Sequence, residues 1–127
     1  MPRKAISAAG AAAIGPYSHA VASDDLIFFS GQTPIDAATG KLVEGGISEQ
    51  TKQAFVNLFA VLSEAGLTPG EVQKVNVYLT DMSNFAAMNE VYAGQFAKPY
   101  PARTTIGVAS LPMDALVEIE MIARRER

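Results

Sequence analysis

Residues 47 to 65 carry the clearest periodicity in the chain. Ile47, Thr51, Ala54, Phe55, Leu58, Val61, Leu62 and Ala65 recur at spacings of three and four, which lines them along one face of a helix. Ser48 with Glu49 offers a start and Gly66 a C-terminal stop. A second helix is predicted over residues 83–97, with Phe85, Met88, Tyr92 and Phe96 as its buried stripe and Pro99 and Pro101 ending it. Asn89 falls off that stripe, where the plain reading is an exposed or capping amide. Residues 72–80 alternate instead, with Val75, Val77 and Leu79 on one side and Asn76, Tyr78 and Thr80 on the other: a strand with two differing faces.

Further strands are predicted at residues 4–8, 17–22 and 26–30, the last two joined through the Asp24-Asp25 turn as a hairpin. Small residues lead to Gly15-Pro16, residues 31–40 read as loop, and Thr68-Pro69-Gly70 reads as a turn. Two strands close the chain, over residues 103–109 and 115–124. Beyond the first strand the order is β-β-α-β-α-β-β. That mixture favours an α+β layer with both helices on one face of a mixed sheet. No linker or repeat interrupts it, and one domain over residues 1–127 is expected.

A hydrophobic fraction of 49% is ample for a core and generous for a lone small domain, which hints at surface covered by other subunits. A net charge of −3 argues against a protein built to grip nucleic acid, since phosphate binding needs a basic footprint. The basic cluster Arg124, Arg125 and Arg127 reads as a solvated tail. Without cysteine, disulfide, thiolate and iron–sulfur chemistry are excluded, and His19 alone makes a histidine-rich metal site a poor expectation. Arg3-Lys4 ahead of Ala5 to Ile14 faintly imitates a signal peptide, but its apolar part is mostly Ala and Gly. No run approaches the ~18 apolar residues of a membrane span. A soluble, cytoplasmic protein is expected.

The candidate chemistry lies in Pro101-Ala102-Arg103-Thr104-Thr105 and in Val117-Glu118-Ile119-Glu120-Met121. Pro101 biases the chain towards extended structure, so a strand should follow it. Arg103 then sits among apolar residues, where an unpaired guanidinium is costly, and its planar fork suits bidentate capture of a carboxylate. The glutamates, pictured on the next strand, could pair with it or move protons. Glu118 and Glu120 share a face by period two, and the residues alone do not choose between them. A structural Arg–Glu pair fits equally well at this stage.

Gly15-Pro16-Tyr17-Ser18, Ser30-Gly31-Gln32, Asn89, Pro101-Ala102-Arg103 and Val117-Glu118-Ile119-Glu120 stand in an order and spacing that resembles the RidA (YjgF-type) enamine/imine deaminases over essentially the whole chain. The resemblance implies a chorismate-mutase-like α+β fold and a homotrimer with ligand clefts between subunits. It implies hydrolysis of reactive 2-imino acids, of the 2-aminoacrylate and 2-iminobutanoate type released by pyridoxal-phosphate dehydratases, to 2-oxo acids and ammonia. That activity is metabolite damage control, and no cofactor or metal is implied. By the same resemblance Arg103 holds the substrate carboxylate and Glu118 activates water, with Glu120 structural. Tyr17, Ser30, Gly31, Asn89 and Thr105 line the cleft.

Each of these has a blander reading. Tyr17 can be a half-buried aromatic and Ser30-Gly31 a strand end. Phe85 and Tyr92 read as core, and His19 as a polar strand residue without a role. Thr105 stands where such deaminases often carry Cys, which leaves pocket shape and substrate preference open. The alternatives are a ribonuclease, an activity ascribed to some relatives, and a non-catalytic protein that binds 2-oxo acids through Arg103.

Overall fold

In the computed structural model, which describes residues 3–9 and 15–126, the chain begins with β1 (Lys4–Ile6), β2 (Ala20–Ser23), β3 (Leu26–Gln32), β4 (Ile35–Asp36) and β5 (Lys41–Leu42). It continues through α1 (Ile47–Glu64), β6 (Val72–Leu79), α2 (Phe85–Ala93), β7 (Ala102–Gly107) and β8 (Val117–Arg124). The small residues 10–14 and Arg127, which figured in the sequence expectations, lie outside the described residues.

Six strands form one sheet in the order β1-β2-β3-β8-β6-β7, and β4 with β5 forms a separate two-stranded ribbon. Only β6 and β7 run parallel, joined through α2 as a crossover must be. Alternation decides the two faces. Val75, Val77, Leu79, Val117, Ile119 and Met121 point to one side, at most 1% exposed. Against that side α1 lays Ala54, Phe55, Leu58, Val61 and Leu62, all buried. Phe55, Phe59, Tyr92 and Phe96 close the layer in an aromatic cluster with ring centroids 5.3 to 5.8 Å apart. Truncating Leu58 to Ala would remove about 2–5 kcal/mol from this layer. Among the described residues no helix covers the other face, and Phe28 and Ile106 there are 43% and 46% exposed.

Local physics explains the boundaries. Helix α1 starts one turn before Thr51 because Glu49 reaches back to accept the Gly46 N–H at 2.8 Å; the cap is Gly46, not Ser48, which lies inside the first turn. It ends where Gly66 takes φ of 78°, with Gly66 N–H donating to Ser63 O at 2.9 Å and Leu67 N–H to Leu62 O at 3.1 Å.

Helix α2 is shorter than predicted. A 3-10 turn over Met82–Asn84 precedes it, Asp81 caps that turn by accepting from Ser83 N–H, and Gly94 ends the helix. Phe96 packs in the core from beyond the helix. The predicted loop after Gly31 also needs correction: β3 runs on to Gln32, and Ile35–Asp36 pairs with Lys41–Leu42. The segment predicted extended from residue 17 becomes strand only at Ala20.

Candidate functional site

Two cavities gather most of the residues singled out in the sequence, whereas Thr105, expected to line the cleft, lines neither. The first, of about 470 Å³, gathers Tyr17, Ser30, Gly31 and Glu118 with Gln32, Thr33, Ile35, Pro112 and Met113. An irregularity in β3 creates it. Phe29 pairs with Met121 and Gln32 with Ile119, so Ser30 and Gly31 together stand opposite Glu120 as a bulge. The extra residue returns Gln32 to the core face and turns Gly31 towards Glu118. A Cβ at Gly31 would lie 2.6 Å from Glu118 Oε2, so only glycine leaves the carboxylate where it is. Thr33 donates its hydroxyl to Glu118 Oε1 at 3.2 Å.

Hydrogen bonds pin the walls. Ser30 donates its hydroxyl to Ser18 O at 2.6 Å and its N–H to His19 O at 2.9 Å, while His19 Nδ1 accepts the Ala8 N–H at 3.1 Å. His19, expected as a polar strand residue without a role, is buried just before β2 and holds this wall. The turn at Gly15-Pro16, closed by Tyr17 N–H to Gly15 O at 3.0 Å, presents Tyr17 at the cavity. Met113, which also lines the cavity, and its neighbour Asp114 both have positive φ, of 59° and 57°, at about 1–2 kcal/mol each. Such cost at a cavity rim is a mark of a functional segment.

The second cavity, of about 310 Å³, is lined by Asn89, Tyr92, Ala93, Tyr100, Pro101 and Arg103. The Arg103 guanidinium carbon lies 4.6 Å from the Tyr92 ring centroid and 5.6 Å from that of Phe85. Tyr92 is thus core and cavity wall at once, whereas Phe85 is 37% exposed and not core as expected. Asn89 does not point away into solvent: its Oδ1 is buried. Asn89 Oδ1, Tyr92 OH and Thr105 Oγ1 are buried without a hydrogen-bond partner, and among the described residues no carboxylate pairs with Arg103. Burial pushes the Tyr92 phenol's pKa up, with the Arg103 charge opposing.

Within one chain these two cavities do not meet. Strand β6 lies between β7 and β8, so the picture of Arg103 and the glutamates on neighbouring strands is wrong. Cross-strand partners share a face. Val75 pairs with Arg103 and Met121, placing Arg103 and Thr105 on the helix-covered side, whereas Tyr78 pairs with Glu118 on the open side. Tyr78 also gives the two glutamates different surroundings: its hydroxyl donates to Glu120, which together with burial and both carboxylates pushes the phenol's pKa up to about 12. Glu120 is engaged; Glu118 lines a cavity.

Sequence reasoning missed Thr33, Ile35, Pro112 and Met113. The one available signal was Asn57, a polar residue fully buried beside the apolar stripe of α1, which holds the Thr33–Ile35 segment. Among the described residues no group of three or more His, Cys, Asp or Glu could hold a metal, and no helix is long and apolar enough to cross a membrane.

With this geometry in place, the family described as Endoribonuclease L-PSP matches residues 7–125. The chain belongs to this YjgF/RidA family. It is 48% identical over 122 residues to the 2-iminobutanoate/2-iminopropanoate deaminase of Bos taurus, covering 95% of this chain and 89% of that protein. The crystal structure of RidA from an Antarctic Psychrobacter superposes with a TM-score of 0.93 at 42% identity, covering 97% of this chain and 100% of the other. E. coli TdcF with bound serine gives a TM-score of 0.92 at 38% identity, covering 97% and 99%. The mixed sheet with two helices is the arrangement of these Rid structures.

Proposed function

We propose that this Rid protein is an enamine/imine deaminase that hydrolyses 2-imino acids of the 2-aminoacrylate and 2-iminobutanoate type. The observation that carries the reading is the Arg103 cavity: a guanidinium stacked on rings, with no anion beside it among the described residues and buried polar atoms left unpartnered around it. A ligand carboxylate satisfies that cavity, and the likeness to a named imine deaminase and to a serine-bound structure supports an amino-acid-like ligand.

The chemistry follows from the two halves. Arg103 grips the carboxylate and so orients the adjacent C=N carbon. Glu118 takes a proton from water as its oxygen attacks that carbon, giving a tetrahedral aminoalcohol. With the imine nitrogen protonated at the outset, this intermediate carries an amine; the proton on Glu118 passes to it, the C–N bond breaks as the hydroxyl returns a proton to Glu118, ammonia leaves and the 2-oxo acid remains. Because one chain separates Arg103 from Glu118, the site is composite in this reading. The Glu118 cavity of one protomer faces the Arg103 cavity of a neighbour in a chorismate-mutase-like homotrimer, whose contact covers the exposed sheet face at Phe28 and Ile106. Tyr17, Ser30, Gly31 and Asn89 wall the cleft. A cytoplasmic location accompanies this reading, beside the pyridoxal-phosphate enzymes that release such imines.

The family's endoribonuclease name marks the alternative. Against it stand the net charge of −3, the buried His19, and Arg103 as the one cation lining either cavity among the described residues. The deciding assay couples the protein to a threonine dehydratase and follows 2-oxobutanoate release. The protein accelerates release, and Arg103→Ala removes that acceleration by a factor on the order of a hundred or more, as loss of a bidentate charged contact predicts. Release unchanged by the protein would sink the deaminase reading.

A further inference from the structure

The Glu118 carboxylate has two oxygens in different surroundings. Oε1 accepts the Thr33 hydroxyl at 3.2 Å, while Oε2 lies over Gly31, where a Cβ would come within 2.6 Å. Thr33 is itself held. Its carbonyl accepts the Ile35 N–H at 2.7 Å and one Asn57 Nδ2 hydrogen at 3.2 Å, and the same Asn57 amide group donates to Ile35 O at 2.9 Å. Asn57 is 0% exposed within α1, and its own oxygen accepts from Gln53 Nε2 at 2.9 Å. A buried amide with both donors and its acceptor satisfied is a rigid fork, and this one clasps two carbonyls two residues apart.

We infer that Thr33, clamped by Asn57, is a positioning residue that occupies Oε1 of Glu118 and leaves Oε2 as the oxygen that exchanges the proton. This rests on the deaminase reading above and adds residues to it. A carboxylate free to turn about its terminal torsion would present either oxygen at variable angle. The hydroxyl bond removes that freedom, and Gly31 gives Oε2 the space to face the cavity. The hydrogen-bonded clamp joins three separate segments: α1, the turn after β3, and β8.

The test uses Thr33→Val, which keeps the branched shape and removes the donor, and Thr33→Ser, which restores it. In the coupled imine assay Thr33→Val lowers kcat about tenfold or more, as loss of a hydrogen bond to a charged group implies, with KM within about twofold. Thr33→Ser recovers most of the rate. A purely structural role would lower the melting temperature of Thr33→Val without that split or rescue. Wild-type kcat in Thr33→Val overturns the inference and leaves the deaminase reading intact. Should the wild-type protein turn over no imine, the deaminase reading fails and the 13C signal of the Glu118 side-chain carboxyl decides the hydrogen bond. A signal displaced in Thr33→Val and returned in Thr33→Ser upholds the hydrogen bond that orients Glu118; an unmoved signal removes it.

Discussion

Around Glu118 most polar groups answer one another: Thr33 to the carboxylate, Asn57 to Thr33 and Ile35, Ser30 to Ser18, with Gln32 Nε2 the buried exception in the lining and His19 Nε2 another behind it. Around Arg103 they do not. The guanidinium lies on the Tyr92 ring with no anion among the described residues, and Asn89 Oδ1, Tyr92 OH and Thr105 Oγ1 are buried unsatisfied. The first cavity is shaped by backbone irregularity, a bulge and two left-handed residues; the second is assembled from a regular strand edge and a helix. The contrast teaches how the proposed labour divides. A group that moves protons gains from a fixed geometry set before substrate arrives. A group that binds can leave its polar partners unmade, because the ligand completes them.

The largest effect expected from this division is complementation. Arg103→Ala and Glu118→Gln are each inactive in the proposed mechanism. Unfolded together and refolded as a mixture, they form some clefts that draw intact Arg103 from one protomer and intact Glu118 from its neighbour. Random assembly from equal amounts makes about a quarter of the clefts intact, so about a quarter of wild-type activity returns. Each variant refolded alone stays silent. A mixture as silent as its parts, while native mass spectrometry shows mixed trimers, would put both residues in one chain's site and break the comparison.

Gly31→Ala separates the halves within a single chain. Its φ is not in the left-handed region, and the atoms a Cβ would meet are the far end of the Glu118 side chain, at 2.6 to 3.3 Å. The carboxylate swings aside at little cost to folding, yet the proton-transfer geometry is lost. Expected are a melting temperature near wild type, kcat down on the order of a hundredfold, and KM nearly unchanged, since the Arg103 half is untouched. A rise in KM with kcat retained would show that Glu118 contributes binding rather than chemistry.

Much of this architecture is legible in the chain. The stripe from Ile47 to Ala65, the stop at Gly66 and the alternation of Val75, Val77 and Leu79 all reappear where periodicity puts them. Strand order is not legible, because a period of two says which residues share a face and nothing about which strand lies alongside. Hence β7 and β8, consecutive in sequence, were pictured as neighbours, although the parallel crossover through α2 sets β7 on the far side of β6. The ribbon of β4 and β5 is too short to carry a period. The Thr33 contact to Glu118 joins residues 85 apart, and no local pattern announces it. Arg103 and Glu118 were visible as residue types in a spacing. That they stand on opposite faces needed the sheet.

The unsatisfied half is sharpened by Tyr92→Phe. Removing a buried hydroxyl that has no partner leaves stability unchanged or slightly raised, because no bond is lost and a desolvated polar atom disappears. The ring that carries Arg103 stays in place. If ligand completes this cavity through the hydroxyl, KM in the imine assay rises a few-fold, roughly the worth of one neutral hydrogen bond, with kcat steady. A destabilised Tyr92→Phe would mean the hydroxyl already has a partner in the assembled protein, and the cavity is less empty than the single chain presents.

The smallest effect concerns the glutamate that stands beside the chemistry. Tyr78 donates its hydroxyl to Glu120 on the open face, and that bond is the leading cause of a phenol pKa raised from 10.0 to about 12. A group whose folded pKa is raised lends its stability in full below the unfolded value and loses it as pH climbs through the folded one. Tyr78→Phe is therefore expected to lower stability by about 1 kcal/mol at neutral pH, a figure kept small because the pair is only partly buried. The gap between variant and wild type should close between pH 10 and pH 12, as followed by chemical denaturation. Imine turnover at neutral pH stays at the wild-type rate, because Glu118 keeps Thr33 and Gly31 as its neighbours. A kcat that falls with Tyr78→Phe would transfer the proton chemistry from Glu118 to Glu120.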